Sequence, residues 1–182
     1  MPTRPSSKAG RIESHTVNDD GTFPNSRLPL LVFRGAVRLT PGEARAVEQA
    51  FEANGWGGGW RNGIYSVHHY HSTAHEALGV YAGSVQVQLG GPAGITLELH
   101  PGDVVVIPAG VAHKNRGASA DFAVVGAYPD GQRWDMNYGR PGERPAADAR
   151  IARVPLPTRD PVHGPTGPLM QLWKGVSERT AS

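Results

Sequence analysis

The middle of the chain alternates apolar and polar residues with the period of a β-strand. Residues 85–89, VQVQL, and 95–99, ITLEL, place an apolar side chain at every second position. Successive side chains of a strand point to opposite faces, so this pattern is typical of antiparallel strands with one buried face. We predict strands over residues 64–71, 76–82, 84–89, 95–99, 103–107, 112–116 and 122–128, with one or two more within 28–38. Short, evenly spaced strands separated by turns predict an all-β sandwich or jelly roll.

One segment ahead of these strands has the period of an α-helix. Ala44, Val47 and Phe51 form an apolar stripe on one helical face. Before them, residues 40–43, TPGE, offer a threonine N-cap, a proline at the first helical position and a glutamate that completes a capping box. Residues 54–55, Asn-Gly, end the pattern. We expect this helix to pack on the outside of the sheets.

A glycine-rich segment, GWGGGWRNG at residues 55–63, follows the helix. It lacks the Lys-Ser/Thr of a phosphate-binding loop and leads into no helix, so a nucleotide site is disfavoured. We predict a flexible connection, with Trp56 and Trp60 packing on the sheets or rimming their mouth.

The next segment carries the candidate chemistry. His69 and His71 are two residues apart, so on a strand both imidazoles point the same way and can reach one ion, while Tyr70 points away. A four-residue turn then leads to Glu76, whose carboxylate can turn back towards the histidines if the second strand is antiparallel. His75 is the alternative ligand if the turn differs by one residue.

A third histidine, His113, ends the segment GDVVVIPAGVAH at residues 102–113. Three imidazoles and one carboxylate suit iron(II), manganese, nickel, zinc, cobalt or copper, with positions left open for water or substrate. The competing interpretation is that these are core histidines bonded to backbone carbonyls. Three of them beside an acid favour the metal.

Both segments resemble the two motifs of the cupin family. Residues 63–83 match motif one, G(X)5HXH(X)3-4E(X)6G, at each fixed position. Residues 102–113 match motif two, G(X)5PXG(X)2H(X)3N, up to the histidine, but glycine stands at 117 and Asn115 comes two residues early. The longer pattern, which includes HHYHSTAHEALGV and VVGAYPDGQRWDMNYG, is similar to the YjlB-like branch of small single-domain cupins.

This resemblance implies a cupin jelly-roll β-barrel, a double-stranded β-helix, with one N-terminal flanking helix. It implies one divalent transition metal (iron, manganese, nickel or zinc) held by His69, His71, Glu76 and His113. The expected function is a metal-dependent enzyme on a small oxygen-donor substrate, with dioxygenase-type chemistry first and isomerase or lyase chemistry second. The alternative is a cupin without turnover that binds a small molecule or uses its metal structurally. The family also implies a homodimer.

A polar start without periodicity and a loop-rich end divide the chain into three parts. We expect a mobile tail or arm over residues 1–22, a barrel with its helix over 23–140, and an extension over 141–182 that packs on the barrel or on a partner subunit. A polar and aromatic group follows the last strand and either folds over the barrel mouth or packs within the extension, the second being favoured. It consists of Gln132, Trp134, Asp135 and Tyr138.

Length and composition limit the number of domains, the kinds of metal ligand and the classes of partner. The chain has 182 residues, the length of one domain, and no cysteine, so any metal must use nitrogen and oxygen ligands. The net charge is +2 and the basic residues are scattered among acids, which does not favour a nucleic-acid or membrane partner. The first 21 residues lack the apolar core of a signal peptide, so we expect a cytoplasmic protein.

Overall fold

The computed structural model describes residues 10–181, which form two antiparallel sheets and three helices. The strands are Ile12–Val17 (β1), Ser26–Phe33 (β2), Trp56–Asn62 (β3), Glu76–Ala82 (β4), Val85–Leu89 (β5), Ile95–Leu99 (β6), Val104–Ile107 (β7), His113–Ala118 (β8) and Ala123–Pro129 (β9). The helices are Arg45–Ala53 (α1), Ala146–Ile151 (α2) and Pro168–Thr180 (α3). The large sheet has the order β1-β2-β7-β4-β9-β3, and the small sheet has the order β6-β5-β8. The predicted all-β jelly-roll class is confirmed.

The main core lies between the two sheets. Leu78 and Val105 of the large sheet pack in one buried cluster with Val87 and Leu99 of the small sheet. The alternation in β5 and β6 has its cause here, because every second side chain of these strands faces this cluster. Burial of these apolar side chains is the main force that holds the sheets together.

A second core covers the other face of the large sheet. Val47 and Phe51 of α1 and Trp173 of α3 lie in it, and each is at most 1% exposed. The helix approaches the sheet closely at Gly79, where a Cβ atom would lie 2.3 Å from Cγ1 of Val47. The predicted position of the helix outside the sheets is confirmed.

The predicted start of that helix is wrong. It begins at Arg45, and its N-cap position, Ala44, makes no side-chain capping bond. Residues 40–43 form a turn instead, in which the Glu43 N–H donates to the Thr40 carbonyl at 3.0 Å. Gly42 has a φ of +96°, which no helix accommodates, so the capping box cannot form.

The glycine-rich segment is a strand and not the predicted flexible connection. β3 pairs with β9 at the end of the large sheet, with an irregular register between Gly57 and Trp60. Trp60 lies opposite Gly126, where a Cβ atom would be 2.2 Å from its ring. The indole therefore fills the space above a glycine of the neighbouring strand, and this cross-strand packing offsets the weak strand propensity of the glycines.

The predicted strand over 64–71 is also wrong. Residues 63–68 have no strand pairing, and only His69 and Tyr70 form isolated bridges, to His113 and Asn137 respectively. The segment does not join a sheet, and Gly63, Ile64 and Tyr65 line a cavity instead.

The ends of the chain are more ordered than expected. Within the range predicted as a mobile tail, β1 pairs with β2, and Arg34 binds Glu13 with 3.0 Å between Nε and Oε1. Residues 1–9 lie outside the described part. Near the other end, α3 forms over Pro168–Thr180, within the predicted extension.

Candidate metal centre

The two sheets and the segment before β4 bring together the side chains of His69, His71, Glu76 and His113. His69 exchanges backbone hydrogen bonds with His113, at 3.2 Å and 2.9 Å. His113 is the first residue of β8 in the small sheet, and Glu76 is the first residue of β4 in the large sheet. The site is therefore built at the ends of strands whose positions are fixed by sheet pairing.

The three histidines form one compact, buried cluster. One ring nitrogen from each of His69, His71 and His113 lies within 4.8 Å of the other two. Such a group could hold a metal ion. Tyr70, between the first two, points away and donates a hydrogen bond to Oε2 of Glu143 at 3.1 Å. The sequence-based expectation that His69 and His71 share one face is confirmed.

Each imidazole has a fixed orientation. In all three rings Nδ1 lies at hydrogen-bond distance from a backbone carbonyl, which can only accept, so Nδ1 carries a proton and, whenever the ring is neutral, Nε2 keeps its lone pair. The acceptors are the carbonyls of Val67, Asp135 and Val111, for His69, His71 and His113 in that order, at 2.9, 2.5 and 3.1 Å. A backbone acceptor on Nδ1 is the usual arrangement for histidines that bind a metal through the other nitrogen.

Glu76 stands beside the cluster, on the side of two of the histidines. Its Oε2 lies 3.2 Å from Nε2 of His71 and 3.1 Å from Nε2 of His113. Within residues 10–181 this buried oxygen has no hydrogen-bond partner. A buried carboxylate oxygen without a partner is costly, and an ion bound among these atoms would satisfy it.

The other oxygen of Glu76 is held by a tyrosine. The hydroxyl of Tyr128 donates to Oε1 at 3.1 Å and accepts from Nε1 of Trp60 at 2.8 Å. Burial, and then the charge of Glu76, raise the pKa of Tyr128 far above its usual value, so the hydroxyl stays protonated and remains a donor. The chain from Trp60 through Tyr128 fixes the rotation of the carboxylate.

The charges of the site suit a cation. Burial opposes ionisation of Glu76, but His71 and His113 outweigh it and hold the pKa of the carboxyl well below its usual range. Burial, followed by the nearness of His113, lowers the pKa of His69 to about 3. Burial also works against charge on His71, but Glu76 outweighs it and raises the pKa of that ring. An ionised carboxylate beside imidazoles is a ligand set with a net negative charge when the rings are neutral.

A cavity of about 350 Å³ opens over the cluster. Its walls are rich in aromatic side chains, and Tyr65, Tyr128 and Trp134 each pack a ring against one of the histidines or against each other. The two tryptophans were predicted to pack on the sheets or to rim their mouth. Trp60 lines the cavity, whereas Trp56 is buried in the second core, on the other face of the large sheet. Tyr65 and Tyr128 could not be predicted as cavity residues, because a tyrosine in an irregular segment or at a strand end carries no local pattern.

The polar group after the last strand divides between the two predicted roles. Trp134 lines the cavity, and Asp135 supplies the carbonyl that orients His71. Gln132 packs within the extension, where its amide donates to the Pro155 carbonyl at 3.0 Å. Tyr138 lies under the guanidinium of Arg140, 4.6 Å from its ring centre, and is not among the cavity residues of the described chain.

The loop that carries Asp135 is fastened to the start of the turn after His71. Oδ1 of Asp135 accepts from the Ser72 N–H at 2.6 Å, and Oδ2 accepts from the Ser72 hydroxyl. That hydroxyl in turn accepts from Nε of Arg150 at 2.7 Å. Through Arg150, α2 supports the loop that holds the His71 ring.

His75 is turned away from the cluster. Its Nδ1 accepts a hydrogen bond from the Ala109 N–H at 2.9 Å, and its ring lies 4.8 Å from that of Trp173. The turn therefore delivers Glu76 and not His75 to the side chains of His71 and His113.

A comparison with protein families and curated proteins gives consistent results. The model of the Cupin domain family matches residues 61–125, which include all four side chains of the centre. The "Uncharacterized protein YjlB" of Bacillus subtilis (strain 168) is 40% identical over 156 residues, which cover 85% of this chain and 92% of that protein.

Similar solved structures are more distant. The 11S allergen from Cocos nucifera is 22% identical with a TM-score of 0.38, over 52% of this chain, which spans 31% of that one. The dTDP-6-deoxy-D-glucose-3,5-epimerase RmlC from Legionella pneumophila Philadelphia 1 is 17% identical with a TM-score of 0.36, over 65% of this chain and 71% of that one. In the described part of the chain, no helix has the length and apolarity to cross a membrane.

Proposed function

Because the chain belongs to the cupin family as a relative of YjlB, we propose that it binds one divalent transition metal through His69, His71, His113 and Glu76. We further propose that it acts on a small molecule with oxygen donors in the cavity above these side chains. The same proposal includes a cytoplasmic location and a homodimer, for which the support is the family and the cysteine-free sequence.

One observation carries the metal proposal. All three histidines donate a hydrogen bond from Nδ1 to a backbone carbonyl. The Nε2 atoms of His71 and His113 lie 3.2 and 3.1 Å from Oε2 of Glu76, and this oxygen has no hydrogen-bond partner in residues 10–181. In a set of core histidines without a metal, the buried Oε2 of Glu76 would be left without a hydrogen-bond partner in the described residues, which costs free energy.

The reaction class follows from what the ligand set leaves open. Three imidazoles and one carboxylate would hold the ion and would leave coordination positions open for a substrate with oxygen donors. A bound ion supplies Lewis acidity, or dioxygen activation if it is iron. Dioxygenase-type chemistry is our first choice and isomerase or lyase chemistry our second.

A binding protein without turnover is the alternative. Among the residues that line the cavity in the described chain, those with a carboxyl or phenol group are Glu76, Tyr65 and Tyr128, and Glu76 is a proposed metal ligand. A separate general acid or base does not stand out among them. A protein that only binds would return its ligand chemically unchanged.

The test is elemental analysis of protein purified without chelators or a histidine tag. We expect about one equivalent of a transition metal, and its loss in His71→Ala and in Glu76→Ala. His68→Ala is the matched control, since this neighbouring ring packs on Phe23 at 5.5 Å and should leave metal content unchanged. No metal after anaerobic reconstitution would refute the proposal.

Turnover and assembly need separate measurements. Iron-loaded protein that consumes oxygen with a candidate substrate supports the dioxygenase, whereas a ligand that raises the melting temperature and is recovered unchanged supports the binding protein. Light scattering after gel filtration measures the oligomer, and a mass of about 19.4 kDa would contradict the dimer.

A further inference from the structure

We propose that the ligand of this cavity is a planar aromatic compound with an oxygen donor group, whose ring packs against Tyr65 and Trp134. This inference rests on the proposed function, because the oxygen donor is taken to bind the metal. It adds the chemistry of the rest of the ligand, which follows from the cavity walls.

Two exposed aromatic rings lie beside the histidine cluster. Tyr65 is 60% exposed and meets the His69 ring edge-on, with 5.3 Å between centroids. Trp134 is 48% exposed and packs against the His71 ring at 5.6 Å. Large aromatic side chains left open to solvent at a cavity are typical of ligand-binding surfaces.

The Trp134 ring is supported by a second aromatic ring behind it. Trp134 stacks on Tyr128, with 6.4 Å between centroids and 26° between ring planes, and Tyr128 is itself fixed by Trp60 and Glu76. The Trp134 ring is thereby held in place before any ligand enters. A preorganised flat surface favours a flat ligand, since little side-chain entropy is lost on binding.

The charge of the cavity disfavours a ligand with a second anionic group. Within the described chain, Arg61 is the one arginine or lysine among the lining residues. Its guanidinium already donates to the Glu48 carboxylate, from Nε at 2.5 Å and from Nη2 at 3.0 Å. A phosphate or carboxylate far from the metal would therefore compete with an existing ion pair. An uncharged ring with a single donor head meets no such competition.

A series of hydroxamates can measure the contribution of the ligand's ring separately from that of its metal-binding group. Benzohydroxamate, cyclohexanecarbohydroxamate and acetohydroxamate present the same chelating group on an aromatic ring, a saturated ring of similar size and a methyl group. Metal-loaded full-length protein is titrated with each, and its metal content is measured before and after. We expect benzohydroxamate to bind about fivefold tighter than the saturated ring, because aromatic pairs favour it beyond burial alone.

Variants test the two rings. Trp134→Leu and Tyr65→Leu should each reduce this preference while the protein keeps its metal. Tyr138→Leu is the control, since that exposed ring lies outside the cavity residues of the described chain and should leave the preference intact.

The outcomes distinguish this inference from the proposed function. Metal-loaded protein that binds the aromatic and saturated hydroxamates equally, or a preference that survives both leucine variants, would overturn the aromatic ligand alone. Protein that takes up no metal would overturn the proposed function and this inference with it.

Discussion

Tyr128→Phe should weaken both the fold and the metal centre, because the hydroxyl makes two buried contacts. It donates to Oε1 of Glu76 and accepts from Nε1 of Trp60. Phenylalanine keeps the ring, so its stacking on Trp134 and the shape of the cavity wall are retained. The change therefore isolates the hydrogen bonds.

The expected magnitude follows from the two partners. A hydrogen bond to a charged group contributes about 1.5–3 kcal/mol and a neutral one about 0.5–1.5 kcal/mol. The loss for metal-free protein should be about 2–4 kcal/mol, nearer the lower figure because Trp60 is half-buried and its N–H can reach water. The freed carboxylate can rotate, and loss of a hydrogen bond that orients a metal ligand weakens metal binding by roughly tenfold or more.

Urea unfolding of metal-free protein measures the first effect, and titration against a competing chelator measures the second. Tyr70→Phe is the matched control, because Tyr70 is fully buried and also donates to a glutamate, Glu143. That pair lies on the side away from the histidines, so this variant should lose stability and keep its metal affinity. An unchanged metal affinity in Tyr128→Phe would refute the positioning role of Tyr128.

Two further changes test the fold. Trp173→Ala removes a buried ring and the hydrogen bond from its Nε1 to the Pro29 carbonyl. Urea unfolding should show that the free energy of unfolding falls by about 3–5 kcal/mol. A fall of less than about 1 kcal/mol would mean that α3 does not support the sheet. The hydrogen bond from Arg34 lowers the pKa of Glu13 from 4.5 to about 2, so this carboxylate stabilises the fold above pH 4.5 and that contribution is lost as the pH falls towards 2. Glu13→Gln should flatten the pH dependence of stability in this window, and an equal slope in both proteins would contradict the assignment.

Much of the fold could be predicted from local patterns. In β5 and β6 apolar and polar residues alternate strictly because one face of each strand packs on the main core. This alternation is visible in the sequence itself and therefore predicts both strands. The spacing of His69 and His71 likewise predicted their common direction, since bridge pairing at His69 keeps the local backbone extended.

What could not be predicted depends on distant partners. β3 forms because the Trp60 ring covers Gly126, a residue 66 positions away, and no feature of the glycine-rich segment itself indicates this. The role of Asp135 has the same origin, since its carbonyl meets the ring of a histidine 64 residues earlier. Local sequence patterns indicate contacts between residues a few positions apart and do not indicate contacts between residues far apart in the sequence.

The carbonyls that orient the three histidines belong to the main chain, and this has a consequence for how the site can change in evolution. A carbonyl is supplied by any amino acid, so the tautomers of the three rings depend on the path of the backbone and not on which side chains occupy positions 67, 111 and 135. Related sequences are thus free to replace the exposed Val67 and keep the orientation of the His69 ring, whereas Val111 is buried in the main core and is limited to residues that pack there. Position 135 has less freedom, because the side chain of Asp135 also fastens its loop to Ser72.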